Sequence, residues 1–212
     1  MVRWGMVVDL RKCVGCQTCS ISCKLENALP SDVFWRYTLD YEVNEYPSVK
    51  RNFLPMQCMH CNNPACLEVC PTTATKQRDD GIVYVDYDIC MGCGYCVVAC
   101  PYRARHIIKK QKGYFGDKLT PQEKKTYINR DGVTTKCTFC MHKVDYGLAN
   151  NQKPGIDPDA TPSCVNACIA NAIHFGDLED QNSSVNQLIR EHKTFKLLDE
   201  LGTEASVYYI IG

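Results

Sequence analysis

The cysteines of this chain fall into four groups of four, with none left over. Cys13, Cys16, Cys19 and Cys23 are separated by two, two and three residues, and Cys58, Cys61, Cys66 and Cys70 by two, four and three. Cys90, Cys93, Cys96 and Cys100 repeat the first spacing, while Cys137, Cys140, Cys164 and Cys168 are separated by two, 23 and three. Four thiolates hold one [4Fe-4S] cluster, so the ligands suffice for four clusters. Such a chain can fold only in ways that bring its cysteines together four at a time. Cluster ligation then replaces part of the hydrophobic core, and the apo chain is expected to fold poorly.

The spacing also predicts which cysteines meet. A tight loop with two-residue gaps reaches three corners of a cubane. The cysteine three residues further on opens a helix that leads away, and in two-cluster ferredoxins it ligates the neighbouring cluster. Groups two and three start 32 residues apart, and Pro71 and Pro101 follow their last cysteines. Read as one unit with crossed ligation, they predict one cluster on Cys58, Cys61, Cys66 and Cys100 and another on Cys70, Cys90, Cys93 and Cys96. Groups one and four then pair across the intervening chain. One cluster falls on Cys13, Cys16, Cys19 and Cys168, the other on Cys23, Cys137, Cys140 and Cys164. Lys24 and Ile169 stand where the prolines would be, which makes these groups the divergent ones. The long gap in group four reads as a surface loop over 147–163, where Pro154, Gly155, Pro158 and Pro162 fall.

The expected fold class is therefore α+β, with two ferredoxin-like two-cluster units. The outer unit (1–57 and 126–212) is split by the inner one (58–125), with an added hairpin and loop insertions. Zinc is the competing ligand assignment, but structural zinc uses two well-separated pairs, and three cysteines on one loop crowd a tetrahedral ion. A disulfide framework suits short secreted domains, and these cysteines are too close in sequence for most bridges.

Formal charge is zero, from 24 basic and 24 acidic residues, which gives no electrostatic reason to expect nucleic acid. No apolar run approaches the roughly 20 residues that span a bilayer, and Met1–Leu10 does not read as an export leader. The expectation is a cytoplasmic protein, or one held at a membrane through partners; a periplasmic location would need export as a folded passenger. Met6–Leu10 and Ile82–Tyr87 alternate as strands entering cluster loops. Phe34–Pro55 reads as an added hairpin broken at Asn44–Ser48, with Trp35, Tyr37 and Tyr41 on a packed face. Arg103, Arg105, Lys109, Lys110, Lys112, Lys118, Lys124 and Lys125 form a basic stretch, which reads as a solvated loop, as positive charge that tunes cluster potentials, or as a dock for an acidic partner. His60 and His142 are expected as hydrogen-bonding neighbours of the ligand cysteines. Ser183 and Ser184 open an amphipathic helix carrying Val185, Leu188, Ile189, His192, Phe195 and Leu198 and stopped by Gly202, before a closing strand at Val207–Ile211.

Taken together, these runs resemble a known family. Gly5-Met-Val-Val-Asp9 before Cys13-Val-Gly-Cys16 is one carrier of the likeness, and Cys58-Met-His-Cys61-Asn-Asn-Pro-Ala-Cys66-Leu-Glu-Val-Cys70-Pro-Thr72 is another. Cys90-Met-Gly-Cys93-Gly-Tyr-Cys96-Val-Val-Ala-Cys100-Pro-Tyr102, Lys136-Cys137-Thr-Phe-Cys140 and Ser206-Val-Tyr-Tyr209 extend it over nearly the whole chain. The chain resembles the four-cluster electron-transfer subunits of the dimethyl sulfoxide reductase family of molybdenum and tungsten enzymes. Respiratory reductases for arsenate, polysulfide, thiosulfate or tetrathionate, and some dehydrogenases of aromatic compounds, use subunits that look like this one.

The resemblance implies a large catalytic partner with a bis-pterin molybdenum or tungsten cofactor, usually with a membrane anchor that exchanges electrons with quinone. It would place the Cys13 cluster toward the catalytic subunit and the Cys70 cluster toward the quinone side. Some relatives hold a [3Fe-4S] cluster at a position lacking one cysteine; all positions here are cysteine, which argues for four cubanes. No convergent acid, base or nucleophile stands out, so no substrate chemistry is expected of the chain alone. A soluble polyferredoxin, or an iron-sulfur subunit of a hydrogenase or formate-oxidising complex, shares the loops and is the alternative.

Overall fold

The computed structural model describes residues 1–211. The first half of the chain runs β1 (Trp4–Asp9), α1 (Thr18–Glu26), β2 (Tyr37–Val43), β3 (Lys50–Met56), α2 (Ala65–Glu68), β4 (Thr75–Gln77), β5 (Val83–Val85), α3 (Tyr95–Ala99) and β6 (His106–Ile108). The second half runs α4 (Pro121–Thr126), β7 (Val133–Thr135), α5 (Met141–Ala149), α6 (Ser163–Asn166), β8 (Ile173–Asp177), α7 (Ser184–Glu191), β9 (Thr194–Phe195), a 3₁₀ turn (Asp199–Leu201) and β10 (Val207–Ile210).

One four-stranded sheet, ordered β8-β1-β10-β9, ties the two ends of the chain together. β1 pairs parallel with β10 and antiparallel with β8. The alternation seen in sequence predicts one buried face, yet all six residues of β1 are buried. The reason is that each face has a cover. Trp4, Met6 and Val8 pack into the main core with Val207, Tyr209 and Phe175, among the ligand cysteines. Val7 and Ile210 pack instead on Val185, with Leu188 and Ile189 of α7 alongside. Fully burying a side chain such as Val185 contributes about 1.5–3 kcal/mol.

That helix is shorter than the sequence pattern suggests. Ser183 caps it by accepting from the Asn186 N–H, but it ends at Glu191. Phe195 turns into β9 and pairs opposite Tyr209, and Gly202 instead closes the 3₁₀ turn at φ 64°. Phe195 and Leu198 therefore do not belong to the helical stripe.

The added hairpin is β2–β3, in register from Tyr37 opposite Met56 to Val43 opposite Lys50. Its aromatics do not share a packed face. Trp35 lies before the strand, buried, with its indole N–H donating to Thr135 Oγ1 at 3.0 Å, whereas Tyr41 faces solvent. The hairpin lies over the first cysteine loop, where a Cβ on Gly15 would come within 2.3 Å of the Phe53 ring. Smaller hairpins β4–β5 and β6–β7 flank the other loops, and β6–β7 pairs residues on the two sides of the expected 125/126 boundary.

Candidate metal centres

Every cysteine loop contains the same backbone device. The residue two beyond the first cysteine is left-handed in all four: Gly15 (φ 67°), His60 (44°), Gly92 (69°) and Phe139 (53°). This turns the backbone N–H back onto the first sulfur, as His60 does to Cys58 Sγ at 3.5 Å and Phe139 to Cys137 Sγ at 3.5 Å. The conformation costs a residue with a Cβ roughly 1–2 kcal/mol, which explains glycine at two of the positions. The other two are offset by packing: the His60 and Phe139 rings stack on each other with centroids 3.7 Å apart, and both are buried.

The loops bring the cysteines together in four quartets. Cys13, Cys16, Cys19 and Cys168 line a recess of about 340 Å³ whose walls include Pro55 and Ile173. Cys58, Cys61, Cys66 and Cys100 line another of about 370 Å³, and Cys70, Cys90, Cys93 and Cys96 a third of about 290 Å³. The Cys23 thiol faces Cys137, Cys140 and Cys164 in the fully buried interior.

The quartets also stand in a line. Cys19 of the Cys13 quartet neighbours Cys164 of the Cys23 quartet, and Cys137 of the latter neighbours Cys58. Arg105 faces both Cys66 and Cys96, and so lies between the Cys58 and Cys70 quartets. Only Cys16 and Cys93 are exposed, one in each end quartet.

Burial dominates the thiols in the middle of the line. It pushes Cys61 and Cys137 up to about 12 and raises Cys23, Cys140 and Cys164 as well. Four bare thiolates cannot share so dry a space, whereas metal coordination deprotonates a thiol outright and spreads its charge. In the end quartets burial still raises Cys13, but donors win at Cys16 and Cys70. The Thr18 hydroxyl, 3.3 Å from Cys16 Sγ, lowers that thiol. At Cys70 burial is opposed and outweighed by the Thr75 N–H at 3.4 Å and by Thr72. The Ala172 N–H donates to Cys168 Sγ at 3.2 Å. N–H and O–H donors aimed at the sulfurs are what iron-sulfur ligands carry to set cluster potential. The donor set, the enclosure and four-cornered recesses in place of single-ion points all fit [4Fe-4S] groups, which supply one-electron redox chemistry when bound.

The remaining sequence expectations meet the structure unevenly. His60 Nδ1 accepts from the Val83 N–H at 3.1 Å, and His142 Nε2 pairs with Glu26 Oε1 at 2.8 Å. Of the basic stretch, seven residues are exposed, but Arg105 is buried with its guanidinium 2.9 Å from Cys66 Sγ. A short capped helix, α4, also interrupts what reads as a loop. Lys24, in the place of a proline after Cys23, is buried and donates to the carbonyls of Pro30, Ser31 and Val33 at 2.7–3.2 Å. Arg36 is buried although no local pattern marks it, and Lys136, part of the Lys136-Cys137-Thr-Phe-Cys140 run, is buried as well.

Sixteen cysteines, gathered on ferredoxin-type loops into a line of quartets, define an iron-sulfur electron-transfer protein. Residues 12–74 and 49–116 each match the 4Fe-4S dicluster domain family. The chain is 41% identical, over 100% of its length and 80% of the relative's, to a Halobacterium salinarum protein whose name assigns it as an iron-sulfur subunit of dimethyl sulfoxide reductase. It is 37% identical to a selenate reductase subunit from Mesobacillus selenatarsenatis, over 99% of this chain and 72% of that one. Against the iron-sulfur cluster-binding subunit of menaquinone reductase from Nitratidesulfovibrio vulgaris it is 35% identical, over 99% and 89%. The chain belongs to the family of four-cluster electron-transfer subunits of the dimethyl sulfoxide reductase family of molybdenum and tungsten enzymes. Its role is to relay electrons within a reductase complex.

Proposed function

We propose that each quartet holds one [4Fe-4S] cluster and that the line of four connects two partners at opposite ends of the chain. The Cys13 end meets a large catalytic subunit with a pterin-bound molybdenum or tungsten centre. The Cys70 end meets a quinone-linked membrane subunit. In this reading residues 1–57 and 126–212 form the outer unit around the Cys13 and Cys23 sites, and 58–125 the inner unit around the Cys58 and Cys70 sites.

The observation that carries the reading is the placement of exposure. The two interior quartets have no exposed cysteine, and the end quartets have one each, Cys16 and Cys93. A carrier of electrons between two partners needs a contact point at each end and insulation between them. The name of the Nitratidesulfovibrio relative supports quinone at one end. No helix among the described residues is long and apolar enough to cross a membrane, so membrane association in this reading comes through the partner.

Anaerobically purified protein should carry about sixteen iron and about sixteen acid-labile sulfide per chain. It should reduce and reoxidise with dyes, and turn over substrate only after the catalytic subunit is added. Zinc with little sulfide, or substrate turnover by the isolated chain, would overturn the proposal.

A further inference from the structure

Two buried arginines occupy the same place in the two units, and the cysteine pattern does not account for either. Arg36 is 1% exposed and Arg105 is 3% exposed. Arg36 follows Cys23 by 13 residues and Arg105 follows Cys100 by five, and Cys23 and Cys100 are the fourth cysteines that cross to the neighbouring quartet. Each guanidinium faces the third cysteine of both groups in its unit: Cys19 and Cys164 for Arg36, Cys96 and Cys66 for Arg105.

Each arginine contacts one of these sulfurs directly. Arg36 Nη1 lies 3.8 Å from Cys164 Sγ and 3.4 Å from Met6 Sδ. Its Nε and Nη2 find no acceptor among the described residues, although both are buried. Arg105 Nη2 donates to Cys66 Sγ at 2.9 Å, and Nη1 to Thr75 Oγ1 at 3.1 Å. The Thr75 N–H in turn reaches Cys70 Sγ at 3.4 Å, so one chain of donors links the Cys58 and Cys70 quartets. Neither arginine pairs with a carboxylate among the described residues.

A buried guanidinium without a counter-ion is strongly disfavoured, so a compensating negative charge must lie beside each one. Among the described residues, the only anionic groups each one faces are its quartets' thiolates, and the unmatched nitrogens of Arg36 need acceptors in that same space. A cation placed between two sites favours the reduced, more negative state of both.

We propose that Arg36 and Arg105 are potential-setting bridges, each holding up the midpoint potentials of the two clusters in its own unit through one shared charge. The fork geometry matters, because a planar guanidinium aims donors toward two sides at once where a point charge aims at one. The inference rests on the four-cluster reading of the quartets.

The test is a redox titration of the full chain, followed by electron paramagnetic resonance, with iron and sulfide counted first. Failure of the four-cluster reading would appear in the wild-type iron count; failure of this inference would appear only in the potentials of fully loaded protein. Arg36→Gln should lower two of the four midpoint potentials, and Arg105→Gln should lower the other two. If either glutamine variant fails to load, the lysine variant decides. Arg36→Lys or Arg105→Lys keeps the charge at one point and should lower one of the two potentials in its unit. Unchanged potentials in a fully loaded glutamine or lysine variant, or a drop spread evenly over all four clusters, would overturn the proposal.

Discussion

Glu26 accepts a hydrogen bond from the Ser163 hydroxyl at 2.6 Å across 137 residues of chain. Its other oxygen pairs with His142 at 2.8 Å, so one carboxylate at the end of α1 fastens α1 to both α5 and α6. These three helices carry cysteines of groups one and four or follow them directly. The His142 hydrogen bond above all, against the opposing effect of burial and with Ser163 assisting, holds the carboxyl at about 2 rather than its ordinary 4.5.

Because the folded pKa is depressed, the clamp contributes stability that is complete above about pH 4.5 and lost as pH falls toward 2. Glu26 is about a quarter exposed, and solvent screening reduces the gain. Glu26→Gln should destabilise the protein by about 1 kcal/mol at pH 7. Anaerobic guanidinium melts of the two proteins should draw together below about pH 4.5 and converge only below about pH 2, as the wild-type carboxylate takes up its proton. A gap that stays constant with pH would show that the clamp acts through shape and not charge.

The crossed quartets give a separate expectation. Cys100 lines the recess of Cys58, Cys61 and Cys66, although it follows Cys96 in the chain. Cys100→Ser should therefore alter the same spectroscopic signal as Cys58→Ser and leave the signal altered by Cys93→Ser intact. A match between Cys100→Ser and Cys93→Ser would mean that each group ligates within itself.

The cysteines were legible because a cubane needs four thiolates and a loop can offer three, a constraint that survives any surrounding fold. What surrounds them was not. Arg36 is buried because Cys19 and Cys164, 145 residues apart, both come to it, and no local pattern announces that meeting. His60 and Phe139 occupy positions where glycine would signal the turn, and only their stacking explains the exception. The helical stripe ran past its end for a related reason: Phe195 keeps helical spacing but finds its partner, Tyr209, across a strand pair. Patterns of period hold until a tertiary partner claims the residue, and the partners here come from distant chain.

Gly92 shows how tightly one loop is built. It sits at φ 69°, and a Cβ there would lie 2.0 Å from the Gly132 carbonyl oxygen. That carbonyl belongs to the β6–β7 connection, which Gly132 fixes by donating its N–H to Ile108 O at 2.7 Å. Gly92→Ala must displace backbone and should abolish the Cys70 site, taking iron from about sixteen to about twelve per chain. Gly132→Ala is the matched control. It also has positive φ (73°) but open space around it, so it should cost roughly 1–2 kcal/mol and retain full iron.

The two ends of the line of quartets carry different apolar rims. Around exposed Cys93 stand Met91, Tyr95 and Val98, the last of them 89% exposed on α3. Around exposed Cys16 stand Val14 and Ile169. Apolar side chains rimming an exposed ligand fit surfaces that a partner covers, since a cluster site in open water gains nothing from an apolar rim. A charge buried in such an interface without a counter-ion weakens binding by about tenfold or more. Under the proposed function, Val98→Glu should therefore release the quinone-side subunit while leaving the catalytic subunit bound, and Ile169→Glu should do the reverse. Pull-down of the two partners separately, at full iron content in both variants, reads the result. Loss of the same partner in both variants would mean that the two ends of the line do not serve different subunits.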